Sequence, residues 1–172
     1  MTNSFYYFAY ASNLLAQRIH INGPSALKKD IGKLEDYRLD FCGPFSKKWD
    51  GYKATIVQEN GKHVWGTIWE IDNSDLSKLD EEEGVPQNIY IPIEVYVTTP
   101  NGNKLKCRCY QLSPEVLEVE KASYEEKQPS QVYLQVIING AIESQLPTTY
   151  IEELKNIRHN GSKGNAETPI SF

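Results

Sequence analysis

The stretch Phe5-Tyr6-Tyr7-Phe8-Ala9-Tyr10-Ala11-Ser12-Asn13-Leu14 passes abruptly from aromatic to small and polar residues. Aromatic side chains suit a pleated, partly buried surface, so Phe5–Tyr10 is predicted as a buried strand. Leu14–His20 follows with a helical pattern that Ser12 or Asn13 can cap. A strand that turns tightly into a helix leaves several backbone N–H groups without an intrahelical partner. The helix dipole adds partial positive charge at that end. Small residues let the backbone come close to a ligand. The Tyr10–Leu14 turn is therefore a candidate anion site, able to hold a carboxylate or phosphate without lysine or arginine, although many such junctions bind nothing.

Beyond this turn, Tyr37, Leu39 and Phe41 alternate within Lys33–Phe41, a half-buried strand. Tyr52–Glu59 and Lys62–Ile71 read as two more strands joined at Asn60-Gly61, a dipeptide favoured in hairpin turns. Ser74–Glu83 reads as a short helix, capped by Asn73 or Ser74 and ended by Gly84. Asn88–Thr98 and Leu105–Leu112 form a second predicted hairpin, in which Pro92 removes a ladder donor and so belongs at an edge or bulge. After Pro129, Val132, Gln135, Val136 and Asn139 fall at helical spacing, and Ile151, Leu154 and Ile157 mark a last amphipathic helix. This order suggests an α+β domain with a mixed, curled sheet over residues 1–159, followed by a loose polar tail over 160–172.

Composition narrows the function classes. The chain has 172 residues, 40% hydrophobic and 11% aromatic, enough for one sizeable core. A formal net charge of −5 argues against a nucleic-acid partner, which calls for a basic stripe. The first residues lack the basic and long apolar segments of a signal peptide, and no window approaches a membrane span, so the cytoplasm is the expected compartment. Cys42, Cys107 and Cys109 fit reduced thiols. Cys107 and Cys109 share one face of a strand, yet no second cysteine cluster or nearby histidine completes a metal site. His20, His63 and His159 are scattered, and Trp49, Trp65 and Trp69 read as core or rim packing residues. Asn160-Gly161-Ser162 matches a glycosylation sequon that should stay unmodified without a secretory signal.

The second chemical feature is Asp80-Glu81-Glu82-Glu83-Gly84, at the end of the predicted Ser74–Glu83 helix. A solvated acidic face explains it in part. The placement is nevertheless unfavourable, because acids at a helix C-terminus oppose the dipole at a cost of about 0.3–1 kcal/mol each. Adjacent like charges raise one another's pKa, and burial raises it further. A general base working near neutral pH needs such a carboxylate. Glu83, where the helix ends at Gly84, is the candidate.

Together these features resemble the γ-glutamyl cyclotransferase family. Phe5–Leu14 is similar to its strand and Y-G-S-N-L loop, and Leu79–Val85 to its acidic block. Arg18-Ile19-His20, Asn22–Ala26, Leu39-Asp40-Phe41, Ala54-Thr55-Ile56, Val64-Trp65-Gly66, Ile93-Glu94-Val95, Cys107–Tyr110 and Pro129–Tyr133 extend the likeness in the same order over residues 5–157. The resemblance implies a mixed, mostly antiparallel β-barrel flanked by helices, with a cavity at its mouth. It implies cyclisation of a γ-glutamyl amino acid to 5-oxoproline and a free amino acid, a lyase reaction of glutathione metabolism that is chemically an intramolecular acyl transfer. Glu83 would be the catalytic acid/base, Tyr10, Ala11, Ser12, Asn13 and Leu14 would hold the substrate carboxylate, and Tyr90, Tyr110 and Tyr133 would line the pocket. No cofactor or metal is implied, and the expected assembly is a homodimer. The chain departs from the family at Ala11, where the loop carries glycine. If that backbone required positive φ, alanine would cost about 1 kcal/mol or more. Two alternatives follow: a cyclotransferase acting on γ-glutamylamines, or a catalytically impaired γ-glutamyl-binding relative.

Overall fold

A computed structural model describes residues 3–121 and 126–170 of the chain, without the side chains of residues 120 and 121. Five strands, β1 (Ser4–Ala9), β2 (Leu27–Ser46), β3 (Gly51–Asp72), β4 (Tyr90–Thr98) and β5 (Lys104–Leu112), close into a barrel in the order β1-β3-β2-β4-β5. The β1·β3, β2·β3, β2·β4 and β4·β5 pairs are antiparallel, whereas β1 meets β5 in parallel at Tyr7 and Arg108. The described residues also form the α-helices α1 (Ala16–Asn22), α2 (Leu76–Glu82), α3 (Pro114–Lys121), α4 (Gln131–Glu143) and α5 (Thr148–Lys155). A mixed, mostly antiparallel barrel with flanking helices is the fold that the family likeness implies.

Alternation along β1 divides the packing. Phe8 and Tyr10 join Ile56, Ile68 and Val97 and the buried side of α4 in one apolar cluster. Tyr7 and Ala9, on the other face, join Trp69, Ile71, Ile19 of α1 and Leu79 of α2 in a second. Burying these side chains, each by about 1.5–3 kcal/mol, drives closure of the barrel and docking of the helices.

Asn60-Gly61 does not make the expected hairpin. β3 runs through it unbroken, and the pairing with β2 slips between Glu35/His63 and Tyr37/Gln58. The Gly61 N–H donates to the Asp36 carboxylate across the slip at 2.9 Å, so an aspartate on the facing strand turns a local hairpin signal into a bulge. The second hairpin stands as read: Pro92 lies opposite Tyr110 on β5, while β4 meets β2 only at Thr98, so the missing donor faces an open seam. The helix at Pro114–Lys121 was not legible as a separate element.

The C-terminal segment has no regular structure through residue 170, but it is not loose. Asn160 donates from its amide to the Pro129 carbonyl at 3.0 Å and from its side chain to the Asp50 carbonyl at 2.8 Å, Thr168 donates to Lys48, and Ile170 is buried. Backbone partners on the β2–β3 connection tie down a stretch whose polar composition suggested freedom.

Candidate active site

The chain leaves β1 at Ala9 and forms a 3-10 turn, Ser12–Leu14, before α1 begins at Ala16. Neither Ser12 nor Asn13 caps α1 through its side chain; Leu15 occupies the cap position, and the Glu143 carboxylate of α4 accepts the Ala16 N–H at 2.8 Å. The first amide of the helix is thus already taken. What remains free is the turn itself: the amides of Ala11, Ser12 and Asn13 make no hydrogen bond among the described residues, whereas the Leu14 amide donates to the Ala11 carbonyl at 3.0 Å. The turn is held from below, because Trp69 donates to the Asn13 carbonyl at 2.9 Å and Asn13 donates to the Tyr7 hydroxyl at 3.1 Å.

Glu83 reaches the same place from the other side. It is the C-cap of α2, and Gly84 follows at φ 68° in the left-handed region that glycine adopts without penalty. This breaks the helix at the last acid of the run and turns Glu83 inward, leaving Glu81 exposed to solvent. Asp80, one turn earlier, is fixed to the barrel: Arg108 donates to both its oxygens at 2.9 and 3.0 Å, and the Tyr110 hydroxyl donates to it as well. That clamp sets the position of α2 and hence of Glu83.

One narrow cavity of about 40 Å³ is lined by Tyr7, Tyr10, Ala11, Ser12, Asn13, Glu83, Tyr90, Tyr110 and Tyr133, with Arg18, Trp49, Lys53, Ala54 and Glu82 completing the wall. Leu14 alone of the expected site residues is absent from it; its side chain is fully buried in the core. A wider groove of about 490 Å³ runs over Phe5, Tyr6, Pro92, Ile93 and Cys107, but it contains none of the candidate site residues, and the meeting of free amides with an acid outweighs size as a mark of chemistry.

Known proteins resemble this chain in sequence and in fold over most of its length. The model of the AIG2-like family matches residues 63–154. A Bos taurus protein named gamma-glutamylcyclotransferase is 42% identical over 170 residues, covering 97% of this chain and 86% of the relative. The chain belongs to the γ-glutamylcyclotransferase family. A Mus musculus protein of the same name is 43% identical over 94% of this chain and 82% of its own length. A solved structure titled gamma-glutamyl cyclotransferase superposes with a TM-score of 0.85 at 42% identity, covering 94% of this chain and 92% of that one.

Ala11, the departure from the γ-glutamylcyclotransferase loop, sits at φ −128° and ψ −129°. It lies outside the left-handed region, so the penalty attached to a positive φ does not arise.

The electrostatics follow from burial. Withdrawal from water raises the Glu83 carboxyl above its ordinary range; the Glu82 and Asp80 charges push it further up, while Lys53 and Arg18 hold it down. Burial likewise raises the hydroxyls of Tyr7, Tyr10, Tyr90, Tyr110 and Tyr133, which therefore stay protonated at neutral pH. Their hydrogens are not equally available. Tyr10 donates to the Tyr110 carbonyl at 2.6 Å and Tyr90 to the Ala54 carbonyl at 2.7 Å. Tyr133 instead accepts the Ala54 N–H at 3.0 Å, and Tyr7 accepts from Asn13, so each keeps its own hydrogen for another acceptor.

Cys107 and Cys109 are buried, and burial pushes the Cys107 thiol up to about 12, so both are packing residues rather than metal thiolates or nucleophiles. Sequence reasoning gave no site role to Tyr7, Arg18 or Lys53 and read Trp49 as core or rim packing. The aromatic run of β1 offered Tyr7 no mark to separate it from its neighbours, and the others come from a helix, a turn and a strand that only the closed barrel brings together.

Proposed function

We propose that the protein converts γ-glutamyl amino acids to 5-oxoproline and the free amino acid, with Glu83 as acid and base. The observation that carries this assignment is the cavity wall shared by the unpaired Ala11–Asn13 amides and the Glu83 carboxylate. The substrate brings its own nucleophile, since the α-amine of a γ-glutamyl group can attack its own γ-carbonyl carbon and close a five-membered ring. Holding the α-carboxylate on the free amides selects the folded conformer, a gain on the order of several kcal/mol. Glu83, its proton affinity raised by burial, takes a proton from the ammonium group and gives it to the leaving nitrogen as the C–N bond breaks; it then takes the second proton from the ring nitrogen and passes it to the released amine. Proton transfer of this kind contributes about 10²–10⁴-fold in rate. Tyr133 and Tyr7, whose hydroxyl hydrogens are uncommitted, donate to the oxyanion that forms on the γ-carbonyl oxygen. We place the enzyme with the lyases of glutathione metabolism in the cytoplasm, and as a homodimer, on the family likeness alone.

Incubation with γ-glutamyl-L-alanine tests the assignment. Equimolar 5-oxoproline and alanine are expected; glutamate and alanine in their place would mean hydrolysis, and no product would mean a binding protein.

A further inference from the structure

Arg18 is a buried cation with unfinished bonding. Its side chain is 6% exposed, yet its Nε has no hydrogen-bond partner among the described residues. Its other recorded polar contact is a long one, 3.4 Å to a Glu82 oxygen, and the Glu82 side chain is 37% exposed. The guanidinium lies over the Trp49 ring, with its carbon 5.4 Å from the ring centroid. A buried donor without an acceptor is costly, and such a donor on a cavity wall is available to a ligand. Lys53 lies on the same cavity wall, its Nζ 5.2 Å from the Tyr90 ring centroid. Both cations act on the Glu83 carboxylate.

We propose that Arg18 and Lys53 recognise the α-carboxylate of the leaving amino acid, with Glu82 standing in for that carboxylate while the site is free. This rests on the function proposed above, because the glutamyl half of the substrate is then accounted for. Its carboxylate takes the neutral amides of the turn and its amine takes Glu83. The leaving nitrogen must also reach Glu83 to collect its proton, and the leaving group's own carboxylate is attached only one carbon further on. A carboxylate in that position meets the two cations that share the cavity wall with Glu83. Guanidinium geometry favours such a group bidentately, through Nε and a terminal nitrogen, which is the pairing Arg18 lacks. Entry of the substrate then requires Glu82 to swing into solvent, a small cost for a half-exposed side chain in a long ion pair. The cyclotransferase would therefore prefer γ-glutamyl amino acids to γ-glutamylamines.

The test compares γ-glutamyl-L-alanine with γ-glutamyl-ethylamide, which has the same glutamyl half and no carboxylate on the leaving side. Wild type, Arg18→Met, Arg18→Lys and Lys53→Met are assayed for 5-oxoproline. The expected result is that the ratio of kcat/KM for alanine over ethylamide falls about tenfold or more in each methionine variant, with partial recovery in Arg18→Lys. Should Arg18→Met fail to fold, Lys53→Met carries the same comparison. Equal losses on both substrates would overturn the proposal, since a structural role or contact with the glutamyl half predicts them. A wild type active on both with no preference for the alanine derivative would overturn it too. A wild type inactive on both would overturn the cyclotransferase assignment, and this proposal with it.

Discussion

Gly140 of α4 lies directly beneath Leu14, so closely that a methyl group at position 140 would stand 2.5 Å from the Leu14 Cβ and 2.7 Å from the Leu15 nitrogen. At its Leu14 end the turn rests on a helix backbone, and the absence of a Cβ at position 140 is what lets the two meet. Gly140→Ala should destabilise the fold by about 1–3 kcal/mol through overpacking. Because the strain falls on the turn proposed to hold the substrate carboxylate, KM should rise more than kcat falls. Thermal denaturation and steady-state kinetics on the same preparation check both parts.

The tyrosines make a second prediction, because their hydrogens are committed differently. Tyr133→Phe removes a hydroxyl hydrogen that is free to meet the developing oxyanion, and kcat should fall about 10²-fold. Tyr90→Phe removes a hydrogen already given to the Ala54 carbonyl. That variant should lose about 1–3 kcal/mol of stability from an unsatisfied buried acceptor while its kcat falls far less. Equal kcat losses in the two variants would count against the assigned roles.

The raised Glu83 carboxyl has a consequence for stability with a definite sign. The folded chain binds this proton more tightly than the unfolded chain, so stability falls as pH rises from the ordinary glutamate value through the raised one. Glu83→Gln has no such proton to lose. Its melting temperature should match wild type near pH 4 and exceed it at pH 8, as determined by calorimetry across that range. In activity, the acid limb of the wild-type kcat/KM profile should lie above the usual carboxylate range.

Much of this was legible in the residues, for reasons that differ by element. The β4–β5 hairpin could be read because its strands are local and Pro92 marks the open side. The Glu83-Gly84 ending of α2 could be read because helix termination is written in adjacent residues. Asn60-Gly61 misled because the bulge depends on Asp36, which faces it from another strand. The C-terminal segment misled because polar composition does not reveal backbone partners such as those of Asn160. Glu83 and the turn were visible as separate local patterns. Arg18 and Lys53 were not, since only barrel closure places a helix residue and a strand residue beside an acid from a third element.

The central claim is that Glu83 moves the proton in a ring closure whose geometry is set by the Ala11–Asn13 amides. Glu83→Gln keeps the side chain's size and removes its basicity, so release of 5-oxoproline from γ-glutamyl-L-alanine measures that claim most directly. A fall in kcat of about 10²–10⁴-fold, with substrate binding by calorimetry preserved, is the predicted result. Release at the wild-type rate would contradict it.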